Sequence, residues 1–129
     1  YVAQVNLSAN MNQLIKVYKE AESYPGPSII IAYCPCISHG IDGGMTNSLD
    51  VGSLATTCGY FPIFHYNPLE QEFHMDCKPN FDTYEEFLNT QTRFKMVKVV
   101  NKEHAEALLQ ENKENAIKRF EFYQSLQKK

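Results

Sequence analysis

Cys34, Cys36 and His39 crowd one short stretch of the chain, and Gly40, Gly43 and Gly44 follow directly. Thiolates and imidazole are the usual ligands of zinc. Structural zinc sites, however, pair cysteines two to four residues apart with a second pair farther on, whereas residues 34 and 36 alternate across a strand end and point oppositely. The spacing weighs against zinc, and Cys34 reads as a small apolar residue packed in a sheet. Cys36 beside His39 is a candidate nucleophile, because the thiolate is the reactive form and a neighbouring base promotes it. Gly40-Ile41-Asp42-Gly43-Gly44 matches neither the dinucleotide fingerprint nor the phosphate-binding loop, so it reads as a flexible turn. His65 and His74 stand singly in apolar surroundings and read as packed or surface side chains. Cys58 and Cys77 lack a suitably spaced ligand and read as ordinary thiols.

The segment feeding this loop is Ser28-Ile29-Ile30-Ile31-Ala32-Tyr33, a continuous apolar run. Such a run is expected to be a strand buried on both faces of a parallel sheet, and ligands of open α/β sheets bind just beyond the carboxyl ends of such strands. Upstream, Tyr1, Ala3, Val5 and Leu7 alternate with Val2, Gln4 and Asn6, which predicts a strand over 1–7. A chain that opens inside a strand leads us to expect further polypeptide before it. Asn10 followed by Gln13 has the form of a helix cap, with Met11, Leu14, Ile15 and Tyr18 at helical spacing behind it. Pro25-Gly26-Pro27 must end that helix, so the first third reads as one βαβ unit.

Beyond the loop at 36–47, Val51, Leu54, Ala55 and Cys58 predict a short helix that Gly59 ends. Residues 61–66 read as a strand with Pro62 near its start, before an Asn67-Pro68 turn, and a weaker strand is expected at 73–76. Asp82 to Glu85 has the pattern of a capping box opening a helix with Tyr84, Phe87, Leu88 and Phe94 on its apolar side. Asn101 is the expected cap of a last helix that turns Ala105, Leu108, Leu109, Phe120 and Tyr123 inward. Met11, Phe87, Phe94, Phe120 and Tyr123 read as core or interface. The fold class is α/β with a mostly parallel sheet, and 82–129 is a solvated helical hairpin.

The chain of 129 residues supports one domain with a real core. Its net charge of -3 excludes a nucleic-acid partner held by a basic surface. No stretch approaches the roughly 20 apolar residues of a membrane span, and we expect a soluble intracellular protein. Without a secretory signal, four cysteines point to reduced thiols or metal ligands rather than a disulfide framework.

The order of short motifs adds a resemblance. Tyr1-Val2-Ala3-Gln4-Val5, Ala9-Asn10-Met11-Asn12-Gln13, Lys19-Glu20-Ala21-Glu22-Ser23-Tyr24-Pro25-Gly26-Pro27-Ser28, Ile30-Ile31-Ala32-Tyr33, Cys36-Ile37, Gly40, Gly59-Tyr60, Tyr66-Asn67-Pro68, Met75-Asp76-Cys77-Lys78-Pro79 and Glu86-Phe87-Leu88 follow one another. This succession resembles the C-terminal part of the pyruvate:ferredoxin (flavodoxin) oxidoreductases over almost the whole chain. The resemblance implies a large multidomain enzyme that oxidatively decarboxylates pyruvate with coenzyme A, using thiamine diphosphate, magnesium and 4Fe-4S clusters, with ferredoxin or flavodoxin as partner. It implies that residues 1–81 are the C-terminal half of a three-layer α/β thiamine-diphosphate-binding domain and that 82–129 pack on it.

The family's Gly-Asp-Gly motif and magnesium ligands lie upstream of the matching stretch, so the chain alone is expected to be inert. Cys36 matches the cysteine of the Tyr-x-x-Cys-Ile segment, the fourth ligand of the 4Fe-4S cluster nearest the thiamine, and distant segments commonly supply such thiolates. Cys34 stands where relatives more often have alanine, His65 where they often have arginine, and Cys77 where they usually have serine. The resemblance further implies a homodimeric enzyme of the cytoplasm or of a hydrogenosome-like organelle. The alternatives are a short non-catalytic binding module on the same fold, or a small zinc or thiol protein using Cys34, Cys36 and His39.

Overall fold

In the computed structural model, which describes residues 1–127, strand β1 (Val2–Val5) runs through helix α1 (Met11–Ser23) into strand β2 (Ile29–Ala32). The two strands pair in parallel, with Val2 opposite Ile29 and Val5 opposite Ala32, so the βαβ unit forms as the periodicity requires. Asn10 caps α1, its side chain accepting from the Gln13 N–H at 2.9 Å, and the helix stops at Tyr24 before the two prolines.

The inner face of α1 differs from the expected one. Gln13 and Val17 are buried and Leu14 and Ala21 pack beside them on Tyr1, Ala3 and Val5, while Met11, Ile15 and Tyr18 are exposed. Two polar contacts set this rotation: the Gln13 side-chain amide donates to the Gln4 carbonyl at 3.2 Å, and the Tyr1 hydroxyl donates to Glu20 at 2.7 Å. Burial in this position, with the Glu20 carboxylate beside it, also pushes the pKa of the Tyr1 phenol up. Leu7, expected in the strand, lies exposed in the turn after it.

Strand β3 (Phe64–Asn67) pairs antiparallel with the other side of β1, and β4 (Glu72–Met75) antiparallel with β3, giving the order β2-β1-β3-β4. The open α/β sheet is thus parallel between β1 and β2 and antiparallel beyond. β3 begins later than residues 61–66 predict, because the Pro62 carbonyl is taken by the Gln4 side-chain amide at 2.6 Å and the Phe61 N–H by Ala55. Against the expectation of a strand buried on both faces, β2 is an edge of the sheet, with Ile29 59 % and Ile31 47 % exposed.

Helix α2 (Ser48–Thr57) covers the sheet through Asn6, whose buried side-chain amide donates to the Gly52 carbonyl at 2.7 Å and to the Thr56 hydroxyl at 2.8 Å. Gly59 ends the helix region in a left-handed conformation with φ 86°, which glycine adopts without steric cost. The second core gathers Val51, Ala55 and Cys58 from this part of the chain with Tyr84, Phe87 and Leu88 of α3 (Tyr84–Asn89) and Ala116 of α5 (Ala105–Leu126).

The C-terminal helices start and stop differently from the sequence pattern. Asn80, not Asp82, provides the cap, accepting from the Asp82 N–H at 3.0 Å ahead of a 3₁₀ turn at Phe81–Thr83. The helix expected to carry both Tyr84 and Phe94 breaks at Thr90 and Gln91, and Phe94 belongs to a separate helix α4 (Thr92–Val100). α5 begins at Ala105 rather than after an Asn101 cap, and Leu108 is exposed while Phe120 meets Phe81 edge-on at 5.9 Å. Lys128 and Lys129, the end of the expected helical segment, lie outside the described residues. No helix among the described residues is long and apolar enough to cross a membrane.

Phe87 is fully buried and packs on Tyr60 with ring centroids 4.5 Å apart. Phe87→Ala is expected to cost about 3–5 kcal/mol through lost burial and a residual cavity. The exposed Phe122 serves as control, Phe122→Ala staying within about 0.5 kcal/mol. Urea unfolding of the two variants measures the contrast.

Candidate functional site

The ladder between β1 and β2 continues one residue past β2, the Tyr33 N–H donating to the Val5 carbonyl at 3.0 Å. Tyr33 packs on Phe61 at 5.0 Å, and burial pushes its phenol up to about 12. The chain then leaves the sheet, and Cys34 and Cys36 are both exposed. Cys34 therefore does not pack in the sheet as expected: β2 ends at Ala32, two residues before it.

Cys36 stands at the entrance to a 3₁₀ turn, Ile37–His39. The backbone N–H groups of His39 and Ser38 favour its thiolate, the Ser38 side chain and the positive charge of Arg93 add to this, and the thiol lies below the usual cysteine range. Cys58 is the opposite case, fully buried and pushed up to about 11 by desolvation. Burial likewise raises the Cys77 thiol, whose sulfur accepts from the Ile63 N–H at 3.3 Å. Both keep the character of ordinary structural thiols.

The glycine-rich turn is held from outside. The Asp42 N–H donates to the Thr90 carbonyl at 2.9 Å, the Thr92 N–H donates to the Gly40 carbonyl at 3.0 Å, and Ile41 and Gln91 form an antiparallel bridge between these bonds. Lys95 adds an ion pair to Asp42 at 2.6 Å. Gly40 has φ 74°, and a Cβ there would collide with the Thr92 side chain, so both conformation and contact require glycine. Residues 40–42 are accordingly a pinned segment.

Cys34, Cys36 and His39 do not converge. The three-residue group with metal-ligand spacing among the described residues is instead Glu70, Glu72 and His74 at the β3–β4 hairpin, with His74 Nε2 3.2 Å from Glu72. The zinc reading of the cysteine loop finds no support in this geometry.

His65 was expected in apolar surroundings and instead occupies a buried polar cluster. Its Nδ1–H donates to Asp76 at 2.7 Å, its Nε2 accepts from the Lys16 ammonium at 3.2 Å, and Gln13 donates to the same Asp76 oxygen at 3.0 Å. The His74 ring stacks on it at 4.7 Å across the strand pair. The sequence carries one signal for this: a hairpin of 64–67 with 72–75 sets His65 opposite His74 and brings Asp76 alongside. Gln13 and Lys16 come from α1 and have no local signature.

No protein-family model matches the chain. Among curated proteins, it is 41 % identical over 98 % of its length to the pyruvate:ferredoxin oxidoreductase of Moorella thermoacetica. It is 36 % identical over 98 % of its length to the pyruvate-flavodoxin oxidoreductase of Enterobacter agglomerans. It is 34 % identical, again over 98 %, to the mitochondrial pyruvate dehydrogenase [NADP(+)] of Euglena gracilis. The chain spans 11 % of the length of the first two and 7 % of the third.

Alkylation of Cys36 by iodoacetamide, followed peptide by peptide across pH, is expected to show a midpoint below that of the same cysteine in the unfolded protein. Cys58 should remain inert until the protein is strongly alkaline or unfolded. In the polar cluster, Asp76→Ala strips the acceptor from His65 and Gln13 and is expected to lower stability by about 1–3 kcal/mol, read from denaturant midpoints.

Proposed function

Because this chain is homologous over 98 % of its length to one segment of the pyruvate:ferredoxin and pyruvate-flavodoxin oxidoreductases, we propose that it works as part of such an enzyme, with Cys36 a thiolate ligand of a 4Fe-4S cluster. The whole enzyme would oxidatively decarboxylate pyruvate with coenzyme A to acetyl-CoA and CO2, and pass the electrons to ferredoxin or flavodoxin. In this reading residues 1–81 are half of the thiamine-diphosphate domain, 82–129 pack on it, and thiamine diphosphate, magnesium and the remaining cluster ligands belong to the rest of the polypeptide. The enzyme works as a homodimer in the cytoplasm or a hydrogenosome-like organelle.

The single observation that carries the site is the state of the Cys36 thiol: exposed beyond the carboxyl end of β2, with the Ser38 and His39 N–H groups favouring its thiolate. A thiolate is the form that binds iron, and N–H groups directed at ligand sulfur tune a cluster's potential. Cys58 is buried and Cys77 half-buried, which leaves Cys34 and Cys36 exposed, and of these two Cys36 holds the position of the family's ligand. When bound, the cluster would supply one-electron acceptance. Cys36 would anchor it from the entrance of the 3₁₀ turn.

The exposed edge of β2 fits the same reading. Parallel strands are ordinarily covered on both faces and flanked on both sides, and Ile29 and Ile31 meet neither condition within this chain. The rest of the parent polypeptide is the proposed cover.

Three measurements test the proposal. Cys36→Ser in the natural-length protein should lower its iron content and cluster absorbance; unchanged iron would remove the assignment. The 129 residues alone should give no pyruvate-dependent reduction of an electron acceptor, and turnover by them would overturn the reading of a dependent segment. Those residues should also self-associate, with Ile31→Lys shifting them toward monomer in sedimentation velocity.

A further inference from the structure

The interruption between α3 and α4 does not follow from the sequence pattern of either helix. Residues 84–100 contain no proline or glycine, and a continuous helix would bond their backbone groups internally. The chain instead turns at Thr90 and Gln91 and spends the groups on either side of the turn on the cysteine loop: the Thr90 carbonyl accepts from Asp42 and the Thr92 N–H donates to Gly40. Gln91, at the centre of the bridge, is 1 % exposed. A break that costs helix and gains contacts with one loop is a device for holding that loop.

Resting on the assignment of Cys36 as a cluster ligand, we propose that Thr92, with its neighbours Thr90, Gln91 and Lys95, is a positioning residue that clamps residues 40–42 and so fixes where the Cys36 thiol is presented. The arch that carries Cys36 has two anchored ends. At one, Tyr33 is tied to Val5; at the other, Gly40 is tied to Thr92. Between them the chain is exposed apart from the half-buried Pro35, and its internal bonds, His39 N–H to Cys36 carbonyl at 3.2 Å and Gly40 N–H to Ile37 carbonyl at 2.9 Å, shape the turn without bonding it to another element. The place of the thiol relative to the sheet therefore depends on both anchors.

Side chains reinforce the second anchor. Lys95 reaches back from the first turn of α4 to Asp42, and Gly40 leaves room for Thr92 that no larger residue leaves. The same junction carries Arg93, whose guanidinium donates to the Tyr60 hydroxyl at 3.2 Å and lies 4.8 Å over the Phe94 ring. The C-terminal helices thus reach the proposed ligand through the backbone, without contributing a ligand of their own.

Thr92→Pro isolates the clamp. Thr92 is the first residue of α4, where proline is tolerated, and Gln91 before it is already extended at φ -110°, ψ 119°, as a residue preceding proline must be. The substitution deletes the N–H that bonds Gly40 and leaves the helix its own hydrogen bonds. In the natural-length protein, we expect T92P to unfold near the wild-type temperature. Amide exchange over 37–44 should accelerate at least tenfold, and the electron paramagnetic resonance signal and midpoint potential of the reduced cluster should shift. Lys95→Met, which breaks the Asp42 pair and leaves the backbone bonds, should act in the same direction more weakly and covers the case in which T92P fails to fold.

Wild-type exchange over 37–44 and a wild-type cluster signal in the folded variant would overturn the clamp. Cys36→Ser separates that failure from failure of the ligand assignment. If C36S retains full iron and an unaltered signal, Cys36 is not a ligand and the positioning role falls with it. If C36S loses iron while T92P and K95M leave exchange and signal unchanged, the ligand stands and the clamp alone is wrong.

Discussion

Both halves of the structure hang on β1. It bonds β2 on one side and β3 on the other, lays Ala3 and Val5 under α1, and sends Asn6 into the backbone of α2. A strand so surrounded calls for partners for the polar groups it buries, and they are supplied by its own Gln4, bonded to Pro62, and by Asn6 just past its end, bonded to Gly52 and Thr56. These bonds fix the distance between the sheet and the chain returning from α2. They therefore set where β3 begins, while the bond from Tyr33, one residue past β2, to Val5 sets where the cysteine loop leaves the sheet. Gly52 belongs to the same constraint, since a Cβ there would press on Ser8 at 2.6 Å and push α2 off Asn6.

The elements written locally are those the sequence pattern makes legible. Asn10 and Gln13 state the start of α1, Pro25-Gly26-Pro27 its end, Gly59 the end of the α2 region, and the apolar run 28–33 the second strand. The errors come where tertiary contacts outrank local preference. Periodicity alone assigns Met11, Ile15 and Tyr18 to the inner face of α1, yet Gln13 is inside because Gln4 and Asp76 wait there for its amide. Asp82 has the form of a cap, and Asn80 takes the role because a 3₁₀ turn precedes the helix. Nothing between Tyr84 and Val100 announces a break, since its cause lies half a chain away in Gly40 and Asp42.

The candidate site divides the same way. Cys36 at the end of an apolar strand is legible from position and residue type, and the family resemblance adds the chemistry. That its thiol should be acidified by the Ser38 and His39 N–H groups depends on a 3₁₀ turn that the sequence does not declare. His65 illustrates the converse. Its neighbours in the chain, Phe64 and Tyr66, make the surroundings look apolar, while the strand alternation turns it to the opposite side, toward Lys16 and Asp76. A polar residue between aromatic ones in a strand says little about its environment until the covering helix is known.

Two surfaces of the chain stay apolar after these demands are met, one on the outside of α1 and one on the face of β2 turned away from it. Met11, Ile15 and Tyr18 form the outer stripe of α1, and Ile29 and Ile31 occupy the open edge strand that α1 leads into. Scattered exposed apolar residues are normal on a globular protein, but a parallel strand left open along its whole length is not. In α1, Asn10, Glu20 and the Gln13 amide nitrogen hold partners while the buried Gln13 Oε1 has none, and the outer stripe has no internal role. The apolar residues that local periodicity misassigns to the core are thus explained by the same premise as β2. Under the proposed function, both are surfaces that the rest of the polypeptide would cover, and local periodicity then reads them as core for that reason.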